Sequence, residues 1–295
     1  MFKENLILTF YGLTPIHMGS GVSVSYVDNP IQREKHTDFP ILAASGIKGV
    51  IRDLAERIWQ DKDKVNIIFG PAPEEGGEEY ASCISFTDAK ILLYPVRSVR
   101  GVFAYVTCPS VLKRFKEELK SIKKDNLPNN IPDIKEESKI IISSNSELKI
   151  DSDKVALEEF VFNIDTSQNV DRLVDTLSTY LPLEIDNLKK HLAIVYDDVF
   201  RDFVKYAVEI RTRIRIDQTT GTAAEGALFT IELIPAESVF YGFLFIADPY
   251  NKSIEEINSA EKVKKELENL FSKANIIQFG GDETLGMGLM KVKIG

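Results

Sequence analysis

The amino-acid sequence predicts an α+β fold organised as a single domain over residues 1–295. Three observations carry that expectation. Strand-like and helical segments alternate along the chain, and the helical ones place apolar residues at helical spacing. The stretch RTRIRIDQTTGTAAEGALFTIELIP sets two extended arms around a Thr/Gly/Ala-rich tip, as a long β-hairpin does. At 295 residues and 44% hydrophobic content, the chain can bury a sizeable core.

The elements follow in order. ENLILTFYGL opens the chain as a strand and stops at Thr14-Pro15. A polar loop, GSGVSVSYVDNPIQREKHTDFP, comes next, bounded by glycines and prolines. Ser45 is expected to cap a helix through SGIKGVIRDLAERIWQ, in which Ile47, Val50, Ile51, Leu54 and Ile58 form an apolar stripe. SCISFTDAKILLYPV and GVFAYVTC read as strands, and PSVLKRFKEELKSIKK as a helix with Pro109 in its first turn. Residues 124–140, rich in Asn, Pro, Lys and Glu, read as a loop or an insertion. VDRLVDTLSTYL and DDVFRDFVKYAVEI are helical, and the hairpin occupies about 211–235. The end reads as strand (VFYGFLFIAD), helix (SAEKVKKELENLFSK), strand (ANIIQF), glycine loop and strand (LMKVKI). This order suits a sheet with helices on one face.

Composition narrows the function. No apolar run approaches the roughly 20 residues that span a bilayer, and the first strand lacks a signal-peptide layout. The expected compartment is therefore the cytoplasm, with no membrane partner. Cys83 and Cys108 lie in strand-like runs and have no metal-ligand spacing, so they read as buried hydrophobes. A net charge of -9 excludes a generally basic surface but leaves room for a local basic groove. Arg211, Arg213 and Arg215 alternate on the first hairpin arm, which puts their guanidinium groups on one face of a strand.

Two stretches could carry chemistry. The glycines of FGGDETLGMG (Gly280, Gly281, Gly286 and Gly288) precede a strand, whereas a dinucleotide fingerprint needs a following helix. A free-standing nucleotide-dependent enzyme is thereby disfavoured. The loop is left as either a tight structural turn with close backbone approach or a phosphate-proximal element. The N-terminal part gathers His17, Asp28, His36 and Lys48 within reach of one long loop and a helix start. Such groups can supply acid/base chemistry, a metal carboxylate and phosphate clamps. Spacing alone leaves Asp28 equally able to stabilise a turn.

The segments TPIHMGSG, YVDNPIQREKHTDFP, SGIKGVIR, FTDAKILLYPVRSVRGVFAYVT, DDVFRDFV and FGGDETLGMG resemble, in this order, the Cmr-type backbone subunits of type III-B CRISPR interference. These subunits belong to the wider RAMP group. SGIKG and the terminal glycine loop mark that group; YVDNPIQREKH and DDVFRDFV are more specific. The resemblance implies a RAMP fold: a ferredoxin-like, RRM-related palm with helical insertions and a β-hairpin thumb. It implies copies stacked in a filament along CRISPR RNA (crRNA), beside other Cmr subunits. It also implies cleavage of target RNA at regular intervals by a metal-dependent endoribonuclease. A non-catalytic crRNA scaffold is the alternative.

By the same resemblance Asp28 is the cutting residue and the ligand of a weakly held divalent metal, Mg2+ or Mn2+, completed by RNA. His17 is a supporting catalytic candidate. Ser45 and Lys48 match guide contacts, and Arg33, Lys35, His36 and Arg52 are expected beside RNA, with Arg97 and Arg100, the thumb arginines and the glycine loop. This chain departs from the family at the second thumb arm, where Thr230-Ile231-Glu232-Leu233 leaves Glu232 as the sole acid and no aromatic residue. The departure argues against catalytic assistance from the thumb.

Overall fold

The computed structural model describes residues 2–21, 27–71, 80–224 and 228–295. Residues 22–26 of the polar loop and 225–227 of the hairpin tip lie outside them. The chain begins with β1 (Glu4–Gly12), β2 (Ile41–Leu42), α1 (Ala44–Trp59) and α2 (Lys62–Phe69). Then come β3 (Ile84–Phe86), β4 (Ala89–Arg97), β5 (Phe103–Thr107) and α3 (Pro109–Ser121). A middle section holds β6 (Lys139–Ile142), β7 (Lys154–Leu157), β8 (Phe160–Ile164), α4 (Asp171–Tyr180), α5 (Ile185–His191), β9 (Leu192–Val195) and α6 (Asp197–Tyr206). The hairpin is β10 (Glu209–Arg213) and β11 (Phe229–Leu233), followed by β12 (Val239–Ile246), α7 (Ala260–Lys273), β13 (Ile276–Gln278) and β14 (Leu289–Ile294).

β14, β1, β12 and β4 are neighbours in that order, and every pair is antiparallel. With α1 between β1 and β4, and α7 between β12 and β14, this is the split βαβ arrangement of a ferredoxin-like palm. Consecutive residues Leu6 to Phe10 of β1 are all buried, so both faces of the sheet are covered. On the Thr9 side the cover comes from the insertions: Thr9 Oγ1 donates to the Tyr180 carbonyl of α4 at 2.7 Å. Phe115 of α3 packs on Tyr241 of β12, with ring centres 4.5 Å apart. α7 crosses β1, β12 and β14 and so takes the opposite side. The expectation of helices on one face is corrected here, because helices inserted after β5 return over the second face.

Beyond β4 the sheet continues through β5, β9, β6, β8 and β7, with parallel pairs at β5–β9 and β6–β8. A bridge from Ser98 to Leu157 brings the last strand back against the β4–β5 turn. Cys83 and Cys108 are buried, and burial pushes both thiols up, Cys83 to about 12. Among the described residues no helix is long and apolar enough to cross a membrane.

Ser45 does not cap α1. The cap position is Ala43, and the first free N–H, that of Ala44, is satisfied by Asp88 Oδ1 at 2.7 Å. A carboxylate from the β3–β4 turn thus does what a local serine was expected to do. Several short elements, α2, α5, β6, β7 and β9, had no separate signature in the sequence. They are brief apolar runs such as VNIIF and LAIV, whose periodicity is too short to tell helix from strand.

Candidate functional site at the base of the hairpin

β10 and β11 form a sheet of their own, paired from Glu209↔Leu233 to Arg213↔Phe229. The polar loop lies along β11 and is stitched to it. Asn29 bridges Ile231 in parallel, the Asn29 N–H donates to the Thr230 carbonyl at 3.1 Å, and the Glu232 N–H donates to the Asn29 carbonyl at 3.0 Å. Asp28 is fully exposed at the start of this ladder. Its Oδ2 accepts from the Thr230 N–H at 2.7 Å and from the Thr230 hydroxyl at 2.9 Å. These two donors, backbone first, hold its carboxyl below the usual carboxylate range.

Glu232 is buried, and its role is internal. One carboxylate oxygen accepts the Ile31 N–H at 2.9 Å and the other accepts Arg33 at 2.6 Å. Arg33 also donates to the carbonyls of Asp38 (2.8 Å) and Val204 (3.0 Å). The sequence reading had set Arg33 beside RNA, but the structure turns its guanidinium into the protein, where it ties the loop to β11 and α6. Its neighbour Glu34 is held by Arg114 of α3, at 2.9 Å to each oxygen. Much of the charge crowded into QREKHTD therefore anchors the loop; Lys35 and His36 stay exposed on its turn.

His17 joins the same base. Its Nδ1 lies 2.8 Å from the Glu232 carbonyl, which can only accept, so Nδ1 carries the proton and Nε2 has no hydrogen-bond partner among the described residues. The residues of β11 that hold Asp28 and His17 are two apart, about 7 Å along a strand. The glycine loop grips the backbone of the His17 segment from the other side. Gly281 N–H donates to the His17 carbonyl and Gly288 N–H to the Pro15 carbonyl, each at 2.9 Å. Gly280 has φ +84, and a Cβ there would stand 2.4 Å from the His17 carbonyl oxygen. Of the two readings of FGGDETLGMG, close backbone approach is what the geometry shows.

This makes a direct prediction. Gly288 has φ +74 and a Cβ there would meet the Phe279 carbonyl oxygen at 1.9 Å, whereas Gly286, with φ +71, has open space around it. Gly288→Ala should cost about 3 kcal/mol or more, from the clash and the strained dihedral together. Gly286→Ala should cost only the left-handed penalty of roughly 1–2 kcal/mol. Denaturant midpoints of the two variants give the comparison.

The remaining expected contacts divide. Arg213 reaches the glycine loop, donating to Asp282 Oδ1 at 2.7 Å, and so anchors the hairpin rather than lining an open strand face. Arg211 pairs with Glu209, while Arg215 lies beyond the end of β10, exposed, its side chain without a partner among the described residues. On α1, Ser45 is exposed and Gly46 faces Met18, next to His17. Lys48 is half-buried and unpaired among the described residues, its pKa lowered by burial and by nearby Arg52. Arg52 is drawn away to Glu56, the Gly70 carbonyl and Asn66 Oδ1. Arg97 pairs with Glu158, and Arg100 is exposed. Thr230 is the site residue that sequence reasoning missed; it stands 202 positions from Asp28, with no local pattern to mark it.

A ferredoxin-like palm, a hairpin thumb and a His17 segment clasped between thumb and glycine loop define the class of fold. The chain belongs to the RAMP superfamily, whose model matches residues 9–291. Its place within the superfamily is with Cmr4: it is 40% identical to the CRISPR system Cmr endoribonuclease Cmr4 of Pyrococcus furiosus, over 98% of this chain and 95% of that protein. The Cmr4 subunit of Saccharolobus solfataricus is 25% identical over 98% of each chain. A crystal structure of oligomeric Cmr4 from Pyrococcus furiosus superposes with a TM-score of 0.75 at 32% identity, covering 98% of this chain and 97% of that one. The fold is also that of a chain in a type III-B Cmr-beta complex bound to cognate target RNA, with a TM-score of 0.76 at 22% identity over 99% and 98% of the two chains.

Proposed function

We propose that this chain is a backbone subunit of a crRNA-guided type III-B effector complex. Copies of it bind crRNA along a filament, next to other Cmr subunits, and cut the complementary target RNA at regular intervals. The relation to a Cmr endoribonuclease over the whole chain supports this reading. The observation that carries it is the exposed Asp28 carboxylate, held by the thumb strand itself.

Each residue then has a defined task. Oδ2 of Asp28 is filled by Thr230, and Oδ1, without a protein partner among the described residues, faces the RNA. His17 Nε2 is free to take or give a proton at the target strand. Lys35, Lys48 and Arg215 supply positive charge for phosphates, so a protein of net charge -9 binds RNA through a few local contacts while guide pairing chooses the sequence.

Among the described residues no three His, Cys, Asp or Glu side chains are grouped to hold a metal ion. One free carboxylate oxygen fits a divalent cation that keeps its waters and borrows phosphate oxygens. Such an ion, held by Asp28 together with RNA, would neutralise charge at the scissile phosphate.

The scaffold reading retains one supporting observation, the burial of Glu232, which removes the thumb's acid from the surface. A complex reconstituted with crRNA and labelled target separates the two. The expected result is a ladder of evenly spaced products that disappears with a chelator. An intact target under saturating binding would leave a scaffold.

A further inference from the structure

We infer that Thr230 is the positioning residue for Asp28, fixing which carboxylate oxygen is offered to RNA and making that carboxylate travel with the thumb. The inference rests on the reading of Asp28 as the cutting residue and adds how it is aimed.

An exposed aspartate on a loop ordinarily samples several rotamers. Here the carboxylate is restrained by a reciprocal contact. The Thr230 hydroxyl accepts the Asp28 N–H at 3.0 Å and donates to Asp28 Oδ2 at 2.9 Å, while the Thr230 N–H donates to the same oxygen at 2.7 Å. Hydroxyl geometry permits both roles at once, one lone pair accepting and the single proton donating. Oδ2 is thereby saturated, and Oδ1 is the oxygen left to face outward.

All of these contacts come from β11, which belongs to the two-stranded hairpin and not to the palm sheet. Asn29 continues the attachment by its ladder to Thr230 and Glu232. A shift of the hairpin when RNA threads past it would therefore act on the carboxylate directly through these contacts. Thr230 contacts Asp28 and no reacting atom, so it positions the acid without being catalytic. A valine suits a strand and lacks only the hydroxyl, which makes T230V the informative variant. T230S keeps the hydroxyl and loses the methyl group.

The experiment uses the full complex assembled with crRNA and reads single-turnover cutting at saturating target, with target affinity measured separately. T230V should cut about tenfold more slowly, as expected for one lost hydrogen bond to a charged group. Target affinity and product spacing should be unchanged, and T230S should recover most of the rate. Wild-type cutting by T230V overturns the inference, as does a T230S variant as slow as T230V. D28N run in parallel distinguishes the failures. If D28N cuts normally, the reading of Asp28 falls and the inference with it; if D28N is inactive and T230V is not, only the inference falls. Should T230V not assemble, T230A against T230S makes the same comparison.

Discussion

Asp28→Asn should abolish target cutting while leaving assembly, crRNA loading and target binding intact. The substitution keeps the shape of the side chain and still presents an oxygen to the Thr230 N–H and hydroxyl, so the ladder between the loop and β11 survives. What it removes is the negative charge at an exposed position, and among the described residues no three His, Cys, Asp or Glu side chains are grouped to hold a metal in its place. A loss on the order of 10²–10⁴-fold in the single-turnover rate is expected, the range for removing one positioned catalytic side chain. Electrophoretic mobility of the crRNA complex and filter binding of target check that only chemistry is affected. Cutting by D28N within a few-fold of wild type would transfer the role elsewhere.

The second large effect concerns the clamp beneath the site. Arg33 and Glu232 form an ion pair at 2.6 Å with side chains 15% and 10% exposed. Arg33→Ala leaves Glu232 with one N–H donor for a buried charge and frees the carbonyls of Asp38 and Val204 as well. Removing one member of such a pair costs about 3–5 kcal/mol, or several degrees in Tm. Arg33→Lys keeps the charge but cannot reach three acceptors from one planar fork, so it should fall between wild type and Arg33→Ala. Thermal unfolding of the three proteins tests the order. An Arg33→Ala protein as stable as wild type, but weak in crRNA binding, would return Arg33 to the RNA surface.

The contrast between these two residues, five positions apart, shows how far the sequence could be read. Both sit in one polar loop, and spacing offers no means of telling an exposed acid from an arginine turned into the protein. Family motifs singled out Asp28 as the candidate acid, because a match is a statement about residues and their order. The partners that decide each side chain's work come from distant elements: Thr230 and Glu232 from β11, Arg114 from α3, Asp88 from the turn before β4. Ser45 is the plainest case. Local rules favour it as a helix cap, and a carboxylate from 43 positions beyond it takes the task one residue earlier, at Ala44.

By itself the sequence determined the alternation of strands and helices, the hairpin, the burial of both cysteines and the family. Each of these rests on local periodicity, side-chain character or motif order, which the linear chain carries. Tertiary structure alone decided that helices cover both sheet faces, and that Arg33, Arg52 and Arg213 spend their charge inside the protein. It also decided that the glycine loop exists to let one backbone approach another. In QREKHTD the charges are legible as letters, but a charge faces solvent or a partner according to what folds against it. The packing that makes Arg33 a clamp and leaves Asp28 exposed is set by β11, α3 and α6 closing on the loop.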